Sequence, residues 1–199
     1  VVSPSRTVSV AAFEALEKAR PDLYKPISTL MLDSDAEKRS HALDDLLHLG
    51  GTAAPSLPIL HAIFLAEIKR GPDSTTQGMT AIQKASLAAI RKLGPDDPET
   101  VKVLKTVAAP EHRFTAARRE ALSALAAWAE ADAKRRKEVY PAIKSAMADN
   151  ACLPLCIELL GEFGTDARDA LPVLKKLKLS NDANLRKLSA EAVAKIEKP

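Results

Sequence analysis

Cys152 and Cys156 stand four residues apart, the spacing that sets two sulfurs on one side of a helix and suits a metal or redox role. His41 and His48 lie seven apart, with His61 on the next apolar segment, and form a second thinkable ligand cluster. Neither set is completed by a further ligand at a fixed spacing. The sequence contains no Gly-x-Ser-x-Gly elbow for a serine nucleophile, no Gly-rich phosphate loop ending in Lys-Ser/Thr, and no Cys-x-x-Cys-His for covalent haem. The expectation is therefore a chain with no catalytic residue, no metal ligands and no cofactor. Two cationic features remain: a recurring arginine at positions 39, 118 and 186, and the run Lys134, Arg135, Arg136, Lys137.

Composition bounds the elements that position these residues. The 199 residues include 29 Lys and Arg against 26 Asp and Glu, a formal net charge of +3, with 46% hydrophobic and 4% aromatic residues. That apolar share excludes a disordered chain, and 21.3 kDa is enough for one core or a short stack of repeated units. Two Cys exclude a disulfide-stapled scaffold. No stretch is expected to approach the roughly 18 to 20 uncharged apolar residues of a membrane helix, so the chain is expected to be soluble with no membrane partner. The chain begins at Val1; any targeting signal is expected to have been removed with the preceding residues, which leaves the compartment open.

An internal repeat organises the rest. Leu46, Leu49, Gly50, Leu57, Pro58 and Leu60 recur 114 positions later as Leu160, Phe163, Gly164, Leu171, Pro172 and Leu174. A copy at offset 44 carries Ile90, Leu93, Gly94, Val101 and Leu104. Weaker copies are in phase at offsets 79 (Ala121, Leu122, Leu125, Trp128) and 147 (Asp182, Arg186, Val193, Ile196). Apolar residues such as Ala42, Leu43, Leu46 and Leu49 follow the i, i+3, i+4, i+7 spacing of one helical face. Helices are expected near 9–19, 22–32, 35–49, 54–70, 79–93, 98–108, 113–131, 135–148, 151–163, 167–178 and 183–197. Ser34 with Glu37 reads as a capping box, Asp97 precedes a Pro at the first helical position, and Gly50, Gly94 and Gly164 read as stops. No domain boundary is evident, so residues 1–199 are read as a single domain. Residues 1–22 form an N-terminal cap and the helix at 183–197 closes the other end.

The pattern Asp35-x-x-x-Arg39-x-x-Ala42, leading to Leu49-Gly50 and Leu57-Pro58-x-Leu60, resembles the HEAT repeat of the short variety first named from phycobilisome lyases. The resemblance covers about Tyr24 to Ile196. It implies an all-α fold, an α-solenoid of about five antiparallel helix pairs. It also implies that Arg39, Arg118 and Arg186 pair with the turn aspartates Asp35, Asp149 and Asp182. The sequence departs from the pattern at Gln83 and Leu153, in the arginine position, and at Met79, in the aspartate position.

In such a solenoid the second helix of each pair lines the concave face. Carrying the register over selects Asp44, His48, Lys92, Glu158, Glu162 and Glu191 as the partner-binding stripe. Its carboxylates outnumber its amines, a poor match for a phosphate-tracking groove. Lys134 to Lys137 instead reads as a solvated helix start, and Trp128 falls on the core position of Leu49, leaving no visible aromatic cage for a base. The expected function is a non-catalytic scaffold or adaptor for a protein partner. The alternatives carried by the family resemblance are a nucleic-acid-binding, DNA-glycosylase-like protein and a bilin-lyase-related subunit.

Overall fold

The computed structural model describes residues 17–33, 35–72, 78–94, 96–130 and 132–198. Among them there is no strand. Ten α-helices follow one another: α1 (Pro21–Leu32), α2 (Ala36–Leu49), α3 (Leu57–Lys69), α4 (Ala81–Leu93), α5 (Pro98–Ala108), α6 (Thr115–Ala129), α7 (Ala133–Ala146), α8 (Leu153–Glu162), α9 (Leu171–Leu177) and α10 (Ala183–Glu197). The helices expected at 98–108 and 183–197 match α5 and α10 to the residue. Of the N-terminal helix expected at 9–19, only 17–19 are described, and these are helical. Ser34 lies outside the described residues. The cap of α2 is Asp35, whose Oδ1 accepts the N–H of Glu37 at 2.8 Å, and the reciprocal capping box is found instead at Thr80 and Gln83.

The helices expected at 54–70 and 167–178 each divide in two. Gly50–Ser56 and Gly164–Ala170 are seven-residue 3-10 segments, entered by a glycine at φ +58° and +56° respectively. Only glycine takes that conformation without a Cβ penalty. Each segment then passes into a helix opening Leu-Pro, where a missing N–H costs nothing. Leu57 and Leu171 have φ of −51° alike, with ψ of −46° and −44°. Sequence repetition at offset 114 is thus repetition of backbone path. Gly94 differs: its φ is −127°, and a Cβ there would lie 2.8 Å from Leu57 and 2.9 Å from Thr100.

One stretch comes nearer to a membrane span than expected. Residues 46–66 contain no Asp, Glu, Lys or Arg, and Glu37–Lys69 is long and apolar enough to cross a membrane by length and composition. In the structure this stretch is interrupted by Gly50 and the 3-10 segment, and Leu46, Leu60 and Phe64 are buried.

The chain divides into two compact units at Val103 and Leu104. In the first, α1 packs on α2, α2 on α4, and α3 on both α4 and α1; Ile27, Leu43, Leu46, Leu60 and Ile90 are its centre. In the second, α6 packs on α7 and α8, α7 on α8, and α10 on α8 and α9. Leu122, Leu125, Ile143, Leu160 and Ile196 are buried there. The α8–α10 contact is close because residue 161 is glycine: a Cβ would come within 3.0 Å of the Ala192 Cα. The repeat's small position is buried in every copy, as Ala42, Ser86, Ala121, Cys156 and Ser189.

Candidate functional site

Where the position is arginine in the second unit, the cation folds back onto the chain that precedes its helix. In the second unit, Arg118 Nη1 donates to the carbonyls of Pro110 (3.0 Å) and His112 (2.6 Å), and Nη2 donates to Thr115 Oγ1 and pairs with Asp149. Arg186 Nη1 donates to the carbonyls of Ser180 (2.8 Å) and Asn181 (2.9 Å). In the first unit the substituted position works similarly, for Gln83 Nε2 donates to the carbonyls of Glu67 (2.7 Å) and Gly71 (2.8 Å). At Arg118, Arg186 and Gln83 a side-chain N–H thus reaches backbone carbonyls with or without a formal charge, whereas Arg39 meets the Glu67 carboxylate and the Leu153 copy has no such donor.

The expected pairing with turn aspartates holds only for Arg118 and Asp149. Asp182, like Asp35, is spent as a helix cap, accepting the N–H groups of Asn184 (2.8 Å) and Leu185. Arg39 turns to Glu67, donating to Oε1 at 2.7 Å, and Arg70 donates to the same oxygen at 2.5 Å. The reason is geometric: a carboxylate just before a helix faces unpaired first-turn N–H groups and is captured by them. Glu67 was not legible as a partner, since the repeat pattern points the arginines to turn aspartates, and Glu67 lies in α3. Nor was Asp166, which accepts from Arg136 Nε at 2.6 Å.

The basic run is accordingly less free than a solvated helix start. Arg135 pairs with Asp132 at 3.3 Å and lies over the half-buried Trp128 ring, 4.9 Å from its centroid. Lys134 and Lys137 are exposed.

Both cysteines are fully buried. Burial and a hydrogen bond with Asp149 raise the Cys152 thiol above its ordinary value, against Arg118. Burial, with lesser contributions from Cys152 and Asp149, pushes Cys156 up to about 12. Such thiols stay protonated at neutral pH and are poor nucleophiles or metal ligands. Asp149 is raised by burial, but hydrogen bonds from Cys152, Ala151 and Arg118, with the Arg118 charge, outweigh that and hold its carboxyl low. Among the described residues, no three His, Cys, Asp or Glu side chains gather as a metal site would require.

One buried polar chain resembles a relay. His61 Nε2 lies 2.9 Å from Thr100 Oγ1, and Thr100 Oγ1 donates to Asp97 Oδ2 at 3.1 Å. The hydroxyl's single proton is committed to Asp97, so Nε2 is the donor to Thr100. In a nucleophile–base–acid relay the imidazole stands between hydroxyl and carboxylate. Here the hydroxyl is in the middle and buried, which makes the set a structural link between α3 and the start of α5. Burial lowers the His61 pKa, opposed by the Asp97 and Glu99 charges.

The six stripe residues are all exposed. They fall in two groups of three. Asp44 and His48 are on α2 and Lys92 on the adjoining α4, and His48 Nδ1 donates to its own helix at the Asp44 carbonyl, 2.7 Å away. Glu158 and Glu162 are on α8 and Glu191 on the adjoining α10. Among the described residues, none of these three glutamates has an ion-pair partner. Comparison with protein-family models, with curated proteins and with solved structures returns no match.

Proposed function

We propose that the chain is a non-catalytic binding module, a HEAT-like α-solenoid that presents the outer positions of its even-numbered helices to a protein partner. The observation that carries this reading is the neighbour order. Within the first unit α2 packs on α4 and α1 on α3, and within the second α6 packs on α8 and α8 on α10. Contact between every second helix is what stacking of helix pairs produces, and stacked pairs offer an extended surface that single helices do not. Asp44, His48, Lys92, Glu158, Glu162 and Glu191 keep their side chains in water on those helices. Recognition rests on shape and distributed charge, with no covalent step and no cofactor. Buried, protonated thiols and a hydroxyl-centred polar chain favour binding over chemistry. Against the nucleic-acid alternative stand the carboxylates beside Arg135 and Arg136, which would have to be displaced by phosphate.

The test is affinity capture with the wild-type chain beside a variant carrying Glu158→Lys, Glu162→Lys and Glu191→Lys. A stoichiometric protein partner retained by the first and lost by the second is expected. Capture of nucleic acid instead, lost at moderate salt and in Arg135→Glu/Arg136→Glu, would replace this reading.

A further inference from the structure

Among the residues whose burial is described, two large hydrophobic side chains are exposed, Val173 at 44% and Leu179 at 83%. Both belong to α9 and the turn that follows it. The sequence around this segment is basic. Between Arg168 and Lys187 six basic residues stand against two acidic ones, Asp169 and Asp182, a local balance of +4, while the whole chain carries +3. Everything outside this segment therefore nets to about neutral. We infer that the turn joining α9 and α10 is a docking point for an anionic phospholipid bilayer, with Leu179 as the inserted residue and Lys176 and Lys178 beside it as the contacts to lipid phosphates.

The turn is built to hold Leu179 in place. The Leu179 N–H donates to the Lys176 carbonyl at 3.0 Å, the Ser180 N–H donates to the Leu177 carbonyl at 3.0 Å, and Arg186 clamps the Ser180 and Asn181 carbonyls. An ordered turn that leaves a leucine in water has already met the ordering cost of presenting it. Of the two acidic residues, Asp182 has its carboxylate turned to the N–H groups of Asn184 and Leu185. Lys175 is bound to Glu197 at 2.7 Å, and the Lys178 charge also acts on that carboxylate; Lys176 and Lys178 are exposed. Long lysine stems lie along apolar surface while their ammonium groups stay at the headgroup level.

A bilayer suits this geometry better than an acidic protein. A specific protein interface needs about 800 Å² of matched surface on each side, and a projecting turn with two apolar residues offers far less. A bilayer needs no shape complement: it yields to a single apolar side chain and supplies many anionic headgroups around it.

Vesicle cosedimentation tests this with the full chain. Vesicles of phosphatidylcholine and phosphatidylserine are expected to bind it at low salt and release it at moderate salt, and phosphatidylcholine alone should not bind. Leu179→Asp and the pair Lys176→Glu/Lys178→Glu should each weaken binding by about tenfold or more. These residues are exposed, so the circular dichroism spectrum should not change. The pair Lys134→Glu/Lys137→Glu, at the other basic segment, should bind as the wild type does. Absence of binding to anionic vesicles, full binding by Leu179→Asp, or an equal loss in the Lys134/Lys137 pair would each overturn the inference. Tighter binding to polyglutamate than to the vesicles would reassign the turn to an acidic protein.

Discussion

The segments beginning at Gly50 and Gly164 follow nearly the same backbone path yet stand in different electrostatic surroundings. Both pass from a left-handed glycine through a seven-residue 3-10 segment to a Leu-Pro helix start. In the first unit two arginines converge on one buried carboxylate, Glu67. In the second, Asp166 pairs with Arg136 and Asp149 with Arg118, one to one. Turn geometry is thus set by local chain chemistry, whereas the ionic partners depend on what the neighbouring helix brings within reach.

Core substitutions should break both units most severely. Leu46→Ala and Leu160→Ala occupy the same register and are both fully buried, so each should cost about 2 to 5 kcal/mol by denaturant unfolding. A large inequality would show that one unit relaxes around the cavity and the other does not. The arginine position should divide its copies by burial. Arg118→Leu abandons the Asp149 carboxylate and two loop carbonyls from a site 8% exposed, and should cost about 3 kcal/mol. Arg186→Leu leaves only carbonyls that water can reach and should cost less than about 1 kcal/mol. Equal losses would mean that loop capping, and not the buried ion pair, is what matters.

Glycine substitutions sharpen the backbone half of the comparison. Gly50→Ala and Gly164→Ala meet nothing within 4 Å, so each should lose about 1 to 3 kcal/mol, the strain of a non-glycine residue at positive φ alone. Gly94→Ala should lose more despite its ordinary φ, because Leu57 and Thr100 must move.

Acid titration should distinguish the units more gently. Burial keeps His61 below its usual pKa of 6.5 in the first unit, and burial with the Arg118 charge does the same to His112 in the second. As pH falls through about 6.5 the unfolded chain takes up these protons first, so stability falls with pH until the folded-state values are passed and then levels. His61→Gln should reduce that slope and leave the His112 part. The smallest effect should be a gain: the buried hydroxyls of Ser86 and Ser189 lack a hydrogen-bond partner where other copies have Ala. Ser86→Ala and Ser189→Ala should therefore raise the unfolding free energy by about 0.5 to 1 kcal/mol, read from the denaturant midpoint.

Much of the secondary structure was legible because its causes are local. Leu43, Leu46 and Leu49 declare a helical face by spacing, Asp97 and Pro98 declare a start, and Gly50 and Gly164 declare stops. The two 3-10 segments were missed because their apolar periodicity runs on into α3 and α9, so the register gave no sign of a change in hydrogen bonding. For the candidate surface, sequence register selected six residues that are all exposed. It could not report that three sit on each compact unit, nor that Leu179 projects where the lysines gather.

What the sequence determined by itself was most of the list of helices, the Asp97-Pro98 start and the small buried position shared by Ala42, Ala121 and Cys156. What only the tertiary structure decided was partnership: Arg39 with Glu67, Arg136 with Asp166, Gln83 serving where other copies have arginine, and both thiols sealed from water. Helix formation and capping are governed by residues three or four apart. A long side chain's choice among distant carboxylates and carbonyls is made only when packing has desolvated one and left another in water.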